Sequence, residues 1–70
     1  MNSKLSENIK LNLDKMGMTW EQFYDFMEDN SNYWRTRRYN PLAMSPLDCY
    51  KVAKLFNINI EIIVGWCLEN

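Results

Sequence analysis

An all-α domain of five short helices is what this sequence predicts, and three observations carry the prediction. Apolar residues recur at spacings of three and four, the helical period. Cap residues and helix breakers interrupt those runs at short intervals. The chain has 70 residues, 47% of them hydrophobic, which is material for one small core and no more.

Ser3 or Ser6 caps the first helix. Its inner face is Leu5, Ile9, Leu13 and Met16, spaced four, four and three. Gly17 ends it, because glycine accepts the left-handed backbone that follows a helix. Thr19 and Gln22 form a capping box that opens the second helix. Phe23, Phe26 and Met27 make its inner face, with Trp20 at the edge beside Met27. Glu21, Asp25 and Glu28 share the opposite face.

Asp29, Asn30, Ser31 and Asn32 are turn and cap residues. They open a third short helix carrying Tyr33, Trp34, Arg35, Arg37 and Arg38, which Asn40-Pro41 stops. Residues 41 to 44 read as a loop. Ser45-Pro46, a cap followed by proline at the first helical position, starts the fourth helix. Leu47, Val52, Leu55 and Phe56 point inward from it, and Asn57 closes it. Ile58 and Ile60 lead into a last short helix, Ile60 to Leu68. Nothing repeats internally, and 70 residues make one domain at most, so residues 1–70 read as a single compact all-α domain; two short middle helices about a tight polar turn are a helix-turn-helix arrangement.

Composition narrows the function. There is no histidine, the usual general base near neutral pH. Gly17 and Gly65 are the only glycines, so no loop cradles phosphate. Cys49 and Cys67 lack metal-ligand spacing and read as half-buried thiols packing as small hydrophobes. The expectation is a protein that is not an enzyme and uses no cofactor or metal. Ile62-Ile63-Val64 is too short to cross a bilayer, and MNSKLSEN holds no apolar leader core. The chain is therefore expected in the cytoplasm.

The stretch LSENIKLNLDKMGMT resembles the first helix and turn of lambda-repressor-like, Cro-type helix-turn-helix domains. Leu5, Ser6, Asn8, Ile9, Lys10, Leu13, Gly17, Met18 and Thr19 fit that pattern. KVAKLFNINIEIIVGW is similar to the ending of the family's fourth helix, through Lys51, Val52, Ala53, Lys54, Phe56, Asn57, Ile58 and Ile63. The likeness runs from about Leu5 to Trp66. It implies a compact five-helix lambda-repressor-like domain and a regulator of transcription.

The middle departs from the family. Trp20 replaces the Gln that helps anchor DNA, Tyr24 a small Ala, and Glu28-Asp29 the turn Gly-Val. Trp34 stands at one core position of the third helix and Arg37 at the next. These changes leave that helix open to being short, shifted or distorted. By length and altered middle the chain resembles the modulator-of-repression type of phage antirepressor, which binds and disarms the phage's own repressor.

Two functions compete for the same residues. For operator DNA, Asn30, Ser31, Asn32 and Arg35 would face bases, while Arg37 and Arg38 would reach phosphates. Against that, residues 19 to 30 hold four acids and no base, and the net charge is −1. One carboxylate about 8 Å from a phosphate costs roughly 0.5 kcal/mol even in bulk water. For a basic repressor surface the same acids are complementary. Trp20, Glu21, Tyr24, Asp25, Glu28, Asp29, Tyr33, Arg35 and Arg38 then form the expected partner surface, with the aromatics as anchors. At the far end, Ile60, Ile62, Ile63, Val64, Trp66 and Leu68 are too many to turn inward. Either they make a homodimer contact, or Trp66 and Leu68 fold back over the core; the reading leans to the second.

Overall fold

Each expected helix start carries its side-chain cap in the computed structural model, which describes residues 3–69. The elements are α1 (Lys4–Met16), α2 (Trp20–Met27), α3 (Ser31–Tyr39), a 3-10 turn (Pro41–Ala43), α4 (Pro46–Phe56) and α5 (Ile60–Leu68). Ser3, not Ser6, caps α1 by accepting from the Ser6 amide. Thr19 with Gln22, and Ser45 with Asp48, form reciprocal capping boxes on α2 and α4. Asn30 and Asn59 cap α3 and α5. Such caps each stabilise by about 1 kcal/mol, because they satisfy amides that have no partner inside the helix.

Three helices end on left-handed residues: Gly17 (φ 69°), Glu28 (φ 61°) and Asn57 (φ 54°). Gly17 and Asn57 suit that conformation. Glu28 does not, and a side chain there costs about 1 kcal/mol. Lys51 offsets part of this from α4, its Nζ donating to the Met27 carbonyl at 3.2 Å. A cation at the negative end of α2 is favourable.

The core gathers one face of every α-helix: Leu5, Ile9 and Leu13; Phe23 and Met27; Trp34; Cys49, Val52 and Ala53; Ile63 and Cys67. α1 runs against α2, α3 and α5, and α4 packs on α5. The Cα radius of gyration is 10.7 Å, against about 11 Å for a compact chain of this length. So the helices form one packed body, and no strand occurs among the described residues.

Several expected inner residues point outward. Met16 is 47% exposed at the end of α1, and Met18 beyond the turn packs on the core instead. Phe26 is 51% exposed. The aromatics Trp20 and Tyr24 complete the buried arc of α2 on its other flank, which leaves Phe26 outside. Leu47 is 59% exposed; it lies opposite the arc of Asp48, Cys49, Val52 and Ala53. The expected loop from 41 to 44 is instead a 3-10 turn with Pro41 buried. The fold-back at the C-terminus occurs by half: Trp66 packs on the core, while Leu68 stays 69% exposed. Cys49 and Cys67 are free and buried, more deeply than half.

Candidate protein-interaction surface on α2 and α3

α3 is a regular helix of nine residues despite its unusual core positions. Trp34 solves the first of them. It is fully buried, with its ring 5.0 Å from Phe23 and 5.8 Å from Tyr33, both edge-on. Its indole N–H finds no acceptor, a cost of about 1–3 kcal/mol that the surrounding aromatic contacts must outweigh.

Arg37 occupies the second core position because Asp48 waits for it. The Asp48 carboxylate is buried and accepts one phenolic proton from Tyr33, shared between oxygens at 2.9 and 2.8 Å. It also accepts from the Ser45 amide at 3.2 Å. Arg37 Nε lies 3.5 Å away, close enough for an ion pair but without a hydrogen bond of its own. The guanidinium stacks on the Tyr33 ring at 3.5 Å and donates to the Tyr33 carbonyl. Burial, then the Asp48 contact, raises the Tyr33 phenol above its ordinary value.

Arg38 ties three helices together. Its Nε donates to Ser6 Oγ at 3.0 Å on α1, and a terminal nitrogen to the Tyr24 hydroxyl at 3.1 Å on α2. The guanidinium lies 3.7 Å over the Trp20 ring, and that ring stacks on Tyr24 with centroids 6.0 Å apart. Its carbonyl accepts from the Ser3 hydroxyl. Tyr24 therefore fits where a small residue was expected by turning its hydroxyl outward to Arg38.

Two of the three arginines are thus held by their own chain, and Arg35 alone projects freely. Because Tyr33, Trp34, Arg37 and Arg38 face inward or sideways, α3 presents Asn32, Arg35, Thr36 and Tyr39 to solvent. Asn30 is exposed but its side chain caps the helix, and Ser31 is half-buried in the first turn. Beside them stand the acids of α2. Glu21, Asp25 and Glu28 are exposed and Asp29 is half-buried. Among the described residues none of these four carboxylates lies in an ion pair; the pairs are Lys10–Asp14 and Arg37–Asp48. Asp25 and Glu28 sit at the negative end of the helix, where acids are unfavourable.

Of the expected partner residues, Glu21, Asp25, Glu28 and Arg35 are exposed, Trp20, Tyr24 and Asp29 are half-buried, and Tyr33 and Arg38 are held by contacts within the chain. The sequence reading missed two exposed aromatics, Phe26 and Tyr39, at 51% and 59% exposure. Phe26 looked like core because it neighbours Met27. Its helical angle, on the flank of Phe23 away from Trp20 and Tyr24, was the available clue.

The outward side of α2 and α3 is thus mainly anionic, with Phe26, Tyr39 and Arg35 exposed on the same two helices. Among the described residues, no group of three or more His, Cys, Asp or Glu side chains is placed to hold a metal. No described helix is long and apolar enough to cross a membrane. No family model, curated protein or solved structure matches the chain.

Proposed function

We propose that this chain is a small phage-type regulator of a genetic switch, with a lambda-repressor-like helix-turn-helix arrangement in α2 and α3. It acts in the cytoplasm as an antirepressor, a binding module rather than an enzyme. Its partner is the helix-turn-helix domain of a repressor, whose operator-reading surface it covers.

One observation carries this reading. The outward face of α2, the turn after it and α3 holds four carboxylates that form no ion pair among the described residues, and one exposed guanidinium, Arg35. Such a face repels phosphate and attracts a basic polypeptide. Phe26 and Tyr39 supply exposed aromatic area of the kind that anchors interfaces.

The test is titration calorimetry with the DNA-binding domain of a helix-turn-helix repressor from the same phage or host. Glu21→Lys with Asp25→Lys should weaken binding by about tenfold or more, through slower encounter and lost complementarity. Unchanged affinity would remove α2 from the interface. The competing reading, operator binding by α3, rests on Asn32 and Arg35, exposed three residues apart. A duplex from the control region that shifts at near-physiological salt, and ceases to shift in Arg35→Ala, would replace the antirepressor reading.

A further inference from the structure

Cys49 sits on α4 and Cys67 on α5, helices that pack on each other. Both thiols are free, and they lie against each other across that contact. They are the only cysteines in the chain. Each is 6% exposed, so neither is sealed off. The opening is a groove of about 250 Å³ between the 3-10 turn, α4 and α5, which both cysteines line together with Leu42, Met44, Ile60 and Val64. Every lining residue is uncharged, and none belongs to α2 or α3. Pockets for drug-sized ligands begin at about 300 Å³, so this one admits something smaller.

We infer that Cys49 and Cys67 form a redox pair, which a small organic disulfide entering this groove closes into an intramolecular disulfide joining α4 to α5. Two observations carry this together. The thiol contact gives each sulfur the partner that a disulfide needs. The groove gives the oxidant access to both sulfurs and room beside them. One cysteine thiolate attacks the external disulfide, which forms a mixed disulfide and expels one thiolate of the oxidant. The other cysteine attacks the protein sulfur of that intermediate. The bond between Cys49 and Cys67 forms, and the remaining half of the oxidant leaves. Both cysteines lose their protons, the pair loses two electrons, and one small disulfide becomes two small thiols. The new bond closes the chain from Cys49 to Cys67 into a ring, which restricts the unfolded chain and so stabilises the folded one. The helix it tethers is α5, which is held mainly by packing. In a reducing compartment the free thiols are the resting form.

The test treats the full chain with excess hydroxyethyl disulfide, an uncharged probe suited to an apolar groove, at about pH 9 to supply thiolate. The wild type should lose both free thiols and about 2 Da, with no part of the probe retained. Its melting temperature should rise by roughly 10 °C or more, and dithiothreitol should reverse the rise. Cys49→Ser and Cys67→Ser should each stop at the mixed disulfide and keep the probe's mass. Circular dichroism checks that these variants are folded; if either is not, the wild-type mass and melting results decide alone. A wild type that keeps the adduct, links to a second copy, or loses its thiols only in urea would overturn the inference. So would an oxidised chain that melts at or below the temperature of the reduced one. No repressor is needed for the measurement, so its failure and that of the antirepressor reading are separate results.

Discussion

α3 and α5 are the same length, nine residues each, and are held in place by opposite means. α3 inserts one fully buried side chain, Trp34, and is otherwise tied down by directional contacts. Arg37 stacks on Tyr33 beside Asp48, and Arg38 reaches Ser6, Tyr24 and Trp20. α5 is almost wholly apolar and is held mainly by packing around Ile63 and Cys67, whose thiol lies against Cys49 of α4. Directional contacts fix the rotation of a helix, so α3 presents Asn32, Arg35, Thr36 and Tyr39 in a set orientation. Packing alone leaves α5 with more apolar surface than the chain covers. Each arrangement leaves a different surface: charged on α2 and α3, apolar on α5.

The largest expected effect that would break this contrast is Asp48→Ala. It leaves the Tyr33 hydroxyl without its buried acceptor and Arg37 without its counter-charge, at a cost of about 3–5 kcal/mol. Small domains are stable by only about 5–15 kcal/mol, so urea denaturation should show a large loss of midpoint. A variant that unfolds like the wild type would mean that Trp34 and the Arg38 contacts hold α3 without help from Asp48.

Alkali comes next and strikes the α4–α5 side. Burial, and then Cys49, pushes the Cys67 thiol from 9.0 up to about 12, and burial raises Cys49 too. The folded state resists ionising these thiols while the unfolded chain does not. Their contribution to stability is therefore complete below about pH 9 and is lost as pH rises towards 12. Tyr33 adds loss in the same direction above its ordinary 10.0. Thermal melts from pH 7 to 11 should fall steeply above 9, and Cys67→Ala should flatten that limb.

Arg38→Ala removes a stacked cation and two hydrogen bonds, an expected loss of about 1–3 kcal/mol. Lysine at this position should not restore it, since an ammonium cannot lie flat on Trp20 while reaching both hydroxyls. Indole fluorescence reports the change directly, and full rescue by lysine would show that charge alone matters. The smallest effect is a gain: Glu28→Gly relieves the left-handed backbone by about 1 kcal/mol, worth roughly 4–8 °C in melting temperature for a domain of this size. The same change should weaken repressor binding if Glu28 belongs to the interface.

Much of the architecture was legible beforehand because helix ends are local. Thr19–Gln22, Asn30, Ser45–Pro46 and Gly17 act on neighbours within a turn, and each was readable from a few letters. Faces were legible where apolar spacing matched the helical period, as in Leu5, Ile9 and Leu13. They were misread where it did not: Leu47 and Val52 are five apart and cannot share a face. The candidate surface was half legible. Its acids stood out, but the state of its arginines did not.

By itself, then, the sequence determined five capped helices, one small core and an acidic stripe on the second helix, because caps, period and composition act over short range. Tertiary structure alone decided which charges are free. The partners that capture Arg38 are remote in the chain, Tyr24 at 14 residues and Ser6 at 32, and Arg37, though it stacks on Tyr33 in its own helix, is set beside Asp48 of α4. A guanidinium satisfied by such distant groups has lost the donors and the exposure it would need to bind anything else. No local pattern reveals that loss, because it follows only once packing has brought α1, α2 and α4 around α3.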